Sequence, residues 1–173
     1  FGFLAGNHVR DKDAITSALI LSELCNELKN KNSSFYDRLI ECYINYGFFK
    51  EKLITEIAKG KKGAKEIDDK INSFRKNPPK LLGNSSVVKI YDYKKSLLTK
   101  TKNNNLSKIK LPKSNLLIFE SSDGTRVAVR PSGTEPKIKY YFSVNTKLNS
   151  KGDFNFKNDF LNKKINSLIK QFI

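Results

Sequence analysis

Apolar residues recur every three to four positions in four stretches of the chain, which is the spacing of amphipathic helices. These stretches are residues 14–28, 34–46, 63–77 and 157–173. In the last of them Leu161, Ile165, Leu168 and Phe172 fall on one face, so we predict a closing helix that buries this face.

Residues suited to begin and end helices flank these stretches. Asp11 or Asp13 precedes the first apolar position, and Ser34 is followed three residues later by Asp37, an arrangement that favours a helix start. Gly47 follows the second stretch and a Pro-Pro pair follows the third, which predicts where both helices end.

The second half of the chain has the composition of β-strands. "SSVVKIYDY", "LLIFE", "TRVAVRP" and "KIKYYFSV" are rich in Val, Ile, Phe and Tyr, and Asp123-Gly124 between the second and third of them predicts a hairpin. "EKLITEIAKG" at residues 51–60 suits a short strand or a helix equally, and the Asn-rich "KSLLTKTKNNNLSKIKLPKSN" suggests a loop or linker. We therefore predict an α+β chain with a boundary near residues 75–85.

The charge of the chain permits two interpretations. A formal net charge of +16 is typical of proteins that bind nucleic acid or anionic membranes. Only five of the 33 basic residues are arginine, however, and asparagine occurs 18 times. Such a composition also arises from an AT-rich coding sequence, without any functional meaning.

Cysteine, histidine and apolar content exclude several classes of protein. Cys25 and Cys42 lie in helical patterns, so we expect two buried small side chains and not a disulfide. One histidine and no CxxC pattern leave no zinc site, and no apolar run approaches the ~18 residues of a membrane span. We expect a cytoplasmic protein and, since the chain starts at Phe1 and has no methionine, a piece of a longer one.

"VAVRPSGTEPKIKYYF" places a polar bend between two strands, which is the arrangement of a small anion site. Ser132 and Thr134 supply hydroxyls, backbone N–H groups can converge if Gly133 adopts a positive φ, and Arg130 adds a forked guanidinium. The alternative is an ordinary hairpin turn with a solvated arginine. On the following strand, alternation predicts a buried face formed by Ile138, Tyr140 and Phe142.

Several motifs resemble one enzyme family. "RPSGTEPKIKYYF" resembles the phosphate-binding loop in the last domain of the α-D-phosphohexomutases, the phosphoglucomutase and phosphomannomutase family. "GFLAGNHVRDKDAITSALILSELCNELK" resembles a stretch of the family's third domain. "NPPK" and "LPKSNLLIFESSDGTRVAVRPSGTEPK" are similar to the subgroup of bacterial phosphoglucomutases and phosphopentomutases.

The resemblance implies a fold and a division of the chain. Residues 1–75 would end an α/β domain and are helical here, and residues 76–84 would form a linker. Residues 85–173 would form a small domain with an antiparallel sheet of about four strands and helices on one face.

The resemblance also implies an activity, with glucose as the favoured sugar. Phosphoglucomutases move a phosphoryl group between the 1- and 6-positions of a hexose through a hexose 1,6-bisphosphate, using a phosphoserine and Mg²⁺. The phosphoserine and metal loops are absent from this sequence, so we expect the chain alone to be inactive and to bind no metal. Its partners would be sugar phosphates and the preceding mutase domains, not nucleic acid or a membrane.

Individual site residues follow from the resemblance alone. The family's phosphate contacts fall on Arg130, Ser132, Gly133 and Thr134, with Lys139 near a further basic position. An active-site segment of the family falls on His8, Arg10 and Lys12. Lys12 would stabilise charge on the transferred phosphate, whereas His8 is equally consistent with a structural histidine. Asp11 and Asp13 are better explained as helix caps.

Two other functions remain open. A nucleic-acid-binding domain would cluster basic and aromatic side chains on one sheet face, as "KIKYY" suggests. A non-catalytic relative of the mutases would bind sugar phosphates as a sensor or as a partner subunit.

Overall fold

A computed structural model of the protein describes residues 3–7, 10–58 and 60–173, apart from the side chain of residue 61. Its contacts divide the chain into two compact units, Phe1–Tyr46 and Gly47–Ile173. The assignment of residues 1–75, 76–84 and 85–173 to domains of the family stays a prediction.

The first unit contains helix α1 (Ala14–Asn30) and helix α2 (Phe35–Tyr46). The side chain of Asp13 caps α1 by accepting the N–H groups of Ile15 and Thr16 at 3.0 and 3.3 Å. Ser34 and Asp37 exchange side-chain to backbone hydrogen bonds at the start of α2. Both predicted helix starts are confirmed, and α2 ends just before Gly47, as expected.

The prediction of two buried cysteines is wrong for Cys25, which is exposed, while Cys42 is half-buried. Within α1 only Ser17 and Leu28 are buried. Helical spacing therefore identified the helix correctly, but it did not establish that the apolar stripe is covered.

The second unit is built on an antiparallel sheet. Its strands are β1 (Phe48–Ile57), β2 (Leu81–Leu82), β3 (Ser85–Asp92), β4 (Leu97–Lys100), β5 (Asn105–Lys108), β6 (Leu117–Ser121), β7 (Arg126–Pro131) and β8 (Lys137–Thr146). The order is β1-β8-β7-β6-β3-β4-β5, with β2 paired to β3. Helices α3 (Gly60–Lys76) and α4 (Phe154–Phe172) complete it. The α+β class is confirmed, with eight strands among the described residues where we expected about four.

Two segments account for most of the added strands. "EKLITEI" forms most of β1, which pairs with β8 over ten residues. The Asn-rich stretch forms the β4–β5 hairpin, so its prediction as a loop is wrong. All four residues of β5 are exposed, so this strand has no apolar alternation, and its strand state depends on pairing with β4.

Helices α3 and α4 cover one face of the sheet. Phe172 of α4 packs against Phe74 of α3 at 5.4 Å between ring centroids, and against Phe119 and Phe142 of the sheet at 6.1 and 6.0 Å. The predicted apolar face of α4 is buried, and so are Ile138, Tyr140 and Phe142. The core of this unit therefore lies between the sheet and its two helices.

The opposite face of the sheet, here called the open face, carries the alternate residues of the strands. Glu120 lies there between Lys89 and Arg126, with Nζ–Oε1 at 2.6 Å and Arg126 Nε–Oε2 at 2.8 Å. Burial raises the pKa of Glu120, but hydrogen bonds from Lys89 and Arg126 outweigh that effect and lower it below its ordinary value. None of the helices among the described residues is long and apolar enough to cross a membrane.

Candidate anion-binding site

The bend between β7 and β8, residues 132–136, is here called the polar loop. The strand ladder runs to the Pro131–Ile138 pair, and the Ser132 N–H then donates to the Lys137 carbonyl at 2.8 Å. On the other side, the Ala58 N–H donates to the Pro136 carbonyl at 2.8 Å. Strand β8 and the end of β1 therefore hold the loop at its base and at its side.

Three consecutive backbone N–H groups of the polar loop are available to a ligand. The Gly133 N–H has no hydrogen-bond partner among the described residues. The N–H groups of Thr134 and Glu135 contact only the Ser132 hydroxyl oxygen, at the long distances of 3.5 and 3.4 Å. An anion oxygen accepts stronger hydrogen bonds than a hydroxyl, so it would compete well for these donors.

The conformation of Gly133 differs from the prediction. Positive φ values occur at other glycines, such as Gly124 at 78°, but not at Gly133. The Ser132 hydroxyl draws the N–H groups together instead, so the backbone turns without a left-handed residue. A Cβ added at Gly133 would meet no atom within 4 Å.

Two of the predicted phosphate ligands form an unpaired basic pair. Arg130 and Lys139 lie directly opposite each other in the β7–β8 register. Neither side chain makes a hydrogen bond or an ion pair with any described residue. Like charges directly opposite each other are unfavourable, so a bound anion would relieve the repulsion between these two side chains.

The charged residue of the polar loop, Glu135, is already paired. Lys137 forms an ion pair with Glu135. The hydrogen bond and charge of Lys137 lower the pKa of Glu135 below its ordinary value, and Lys139 contributes. Glu135 is therefore held as a carboxylate, and it is a poor proton donor.

A cavity of about 570 Å³ separates the polar loop from α3. It is lined by Gly60, Ala64, Ile67, Asp68, Asn115 and residues 132–136. Arg130 and Lys139 do not line it, because they lie on the open face. The structure thus divides the predicted phosphate ligands into two groups. The loop donors line the cavity, whereas Arg130 and Lys139 form a basic pair across the β7–β8 ladder, just outside the loop.

Sequence reasoning assigned no role to Asp68 and Asn115. Asp68 lies on α3, and Asn115 lies just before β6. The packing of α3 against β7 and β8 brings Asp68 to the polar loop, and the pairing of β6 with β7 brings Asn115 there. No local pattern could therefore have revealed them.

The predicted catalytic residues belong to the first unit. His8 lies outside the described residues. Arg10 is exposed and lines a cavity of about 400 Å³ with Leu4, Gly6 and Asn7. Lys12 is exposed, and its N–H donates to the Asp11 carboxylate at 2.7 Å. The catalytic roles of His8, Arg10 and Lys12 stay predictions.

Acidic and other metal-binding side chains are dispersed in the part of the chain that the structure describes. No three His, Cys, Asp or Glu residues there are grouped so that they could hold a metal ion.

Comparisons with known proteins converge on one family. A sequence profile described as the phosphoglucomutase/phosphomannomutase C-terminal domain matches residues 54–147, more than half of the chain. The phosphoglucomutase of Staphylococcus epidermidis is 37% identical over 144 residues, and that of Staphylococcus haemolyticus is 32% identical over 145. These alignments cover 83% and 84% of this chain but 26% of each relative.

A solved structure was also found to be similar. It is the open form of parafusin, a phosphoglucomutase from Paramecium, with 19% identity, a TM-score of 0.49, and coverage of 95% of this chain and 28% of that one. The profile match includes all of the polar loop and strands β7 and β8 on either side of it. The chain therefore belongs to the phosphoglucomutase/phosphomannomutase family and contains its C-terminal domain.

Proposed function

We propose that this chain is the phosphate-clamping part of a phosphohexomutase. The enzyme would interconvert hexose 1-phosphate and hexose 6-phosphate, with glucose as the favoured sugar, through a hexose 1,6-bisphosphate. The observation that carries the proposal is the unpaired Arg130–Lys139 pair beside three available N–H groups of the polar loop.

The chemistry of the site suits the phosphate that does not react. Arg130 can bind two phosphate oxygens at once, while Lys139 adds a point charge. The only carboxylate of the loop, Glu135, is already paired with Lys137. Binding energy gained at the remote phosphate can then position the reacting end of the sugar elsewhere.

The remaining parts of the reaction belong to the rest of such an enzyme. The chain spans about a quarter of the length of the curated relatives that it matches. The described residues do not fit a Mg²⁺ site, since they provide no cluster of three ligands, so magnesium would be held by other domains. We keep His8, Arg10 and Lys12 as candidates for contact with the transferred phosphate.

Equilibrium binding of glucose 1,6-bisphosphate to the 173-residue chain tests the clamp. Arg130→Gln should weaken binding about 10- to 100-fold, because it removes a charge-assisted contact. Arg126→Gln is the matched control: it removes the same charge from the same strand, but Arg126 is already paired with Glu120. Equal losses in both variants would show attraction to general basic charge and would reject the clamp.

The expected inactivity of the chain alone has a separate assay. Conversion of glucose 1-phosphate to glucose 6-phosphate should be undetectable with the purified chain, with or without Mg²⁺ and the bisphosphate. Measurable turnover would show that these 173 residues contain a complete mutase site.

A further inference from the structure

The cavity between the polar loop and α3 has two chemically different walls. The loop side presents N–H groups and the hydroxyls of Ser132 and Thr134. The opposite side presents the Asp68 carboxylate and the Asn115 amide. A carboxylate repels a bare phosphate. It can, however, accept a hydrogen bond from a hydroxyl group of a phosphate ester.

The orientation of the Asn115 amide follows from its neighbour. The guanidinium of Arg75 donates to Oδ1 of Asn115. Arginine can only donate, so the amide oxygen must face Arg75. Nδ2 of Asn115 has no partner among the described residues, so the two hydrogens of this cavity-lining side chain are left without an acceptor.

Arg75 is itself fixed in place. Its side chain is 7% exposed, and its Nε lies 3.4 Å from the Asp92 carboxylate. Nη1 donates to Asn72 at 3.2 Å. A buried, paired guanidinium is a rigid support, so Arg75 sets the orientation of Asn115 without lining the cavity.

We propose that Asn115 and Asp68 recognise the hydroxyl groups of the phosphate ester whose phosphate is held by the polar loop. Asn115 Nδ2 donates to one hydroxyl oxygen, and the Asp68 carboxylate accepts a hydroxyl proton. Arg75 is a positioning residue for Asn115. This inference rests on the proposed function, to which it adds a role in recognising the sugar.

The test compares two ligands on the same protein: glucose 1-phosphate and inorganic phosphate, titrated calorimetrically into the 173-residue chain. The quantity of interest is the ratio of their affinities. Asn115→Ala should lower the preference for glucose 1-phosphate about five- to tenfold, the effect of one hydrogen bond. Inorganic phosphate should bind within twofold as before.

Two further variants examine the rest of the arrangement. Asp68→Asn should also lower the preference, while inorganic phosphate binds equally well or more tightly because a negative charge has left the cavity. Arg75→Lys keeps the charge but cannot bridge Asp92 and Asn115, so it should lower the preference by a smaller factor. Asn105→Ala, on exposed strand β5, is the control and should change neither affinity.

The outcomes separate this inference from the proposed function. If the chain binds both ligands and Asn115→Ala leaves their affinity ratio unchanged, the hydroxyl-recognising wall is refuted and the clamp stands. If the unaltered chain binds neither ligand, both are refuted. Thermal melts of every variant identify a loss of folding, which would weaken both ligands in parallel and leave their ratio intact.

Discussion

Lys139 illustrates how a proposed role in phosphate binding can conflict with stability. It faces Arg130 across the β7–β8 ladder, and its side chain forms no ion pair or hydrogen bond with a described acidic residue. Lys139→Gln should therefore stabilise the ligand-free chain by about 0.2–1 kcal/mol and weaken phosphate binding several-fold. Chemical denaturation and calorimetry measure the two effects, and Lys113→Gln in an exposed segment should produce neither. A destabilised Lys139→Gln would contradict the unfavourable pairing.

Asp123 links stability to pH. Burial raises the pKa of its carboxyl, but hydrogen bonds from Lys164, Ser121 and Ser85 outweigh that effect and hold it well below the ordinary value of 3.8. A lowered pKa in the folded state means that Asp123 stabilises the protein above about pH 4, and that this contribution is lost as the pH falls below the unfolded value.

Asp123→Asn should cost about 1–2 kcal/mol of unfolding free energy at pH 7. The difference from the unaltered chain should stay constant down to about pH 5 and shrink between pH 4 and pH 2. Urea titrations across this range measure it. Asp69→Asn, on the exposed surface of α3, is the control. A difference that grows on acidification would have the wrong sign for this account.

Residues that act locally could be predicted from sequence, and residues that act through packing could not. Asp13 and Ser34 cap helices through N–H groups two or three positions away, so spacing alone identifies them. Asn115 acquires its place through Arg75, 40 residues earlier in the chain. No pattern along the chain contains that contact.

At the scale of elements, two glycines in hairpin turns differ in whether the turn tolerates a side chain at that position. Gly124 in the β6–β7 turn has φ 78°, and an added Cβ would lie 2.9 Å from Asn145 Nδ2. Gly133 in the β7–β8 turn has neither constraint. Gly124→Ala should therefore cost about 1–2 kcal/mol of stability, whereas Gly133→Ala should cost less than about 0.5 kcal/mol.

Thermal denaturation of both alanine variants distinguishes the turns. A large destabilisation by Gly133→Ala would instead support the positive φ at Gly133 that was predicted from sequence. The contrast also shows why that prediction failed: a Ser-Gly-Thr sequence permits a nest, but the Ser132 hydroxyl offers the same N–H groups another acceptor.

Strands were predictable where side chains alternate and not where pairing alone defines them. Strand β8 alternates buried positions with positions that are half-buried or exposed, and it was recognised. Strand β5 has only exposed residues, and its neighbouring turn uses Asn104 at φ 49°. Asparagine suits that turn, so the Asn-rich composition correctly indicated a change of chain direction. It gave no sign of the two short strands on either side of the turn.

At the scale of the molecule, Phe172 joins helices α3 and α4 to the sheet of the second unit. Its ring contacts Phe74, Phe119 and Phe142, and it is 4% exposed. Phe172→Ala should cost about 3–5 kcal/mol, a large share of the stability of an ordinary domain. Phe156→Ala on the same helix, where the ring is 74% exposed, should cost less than about 0.5 kcal/mol. Similar costs in both variants would contradict this core.

The net charge of +16 overstates how basic the open face is. Glu120 pairs there with both Lys89 and Arg126. Arg130 and Lys139 lie directly opposite each other beside the polar loop, and their side chains form no ion pair with a described residue. A localised basic pair suits one phosphate better than an extended nucleic-acid backbone, which is contacted by charges spread along a surface.

The measurement that tests the phosphate clamp most directly is a titration of the ¹⁵N-labelled chain with glucose 1,6-bisphosphate, followed by amide NMR. We expect saturable shifts centred on the N–H groups of Gly133, Thr134 and Glu135, and their loss in Arg130→Gln. Shifts scattered over lysine-rich surfaces, or saturable shifts elsewhere with the polar loop unchanged, would contradict the clamp.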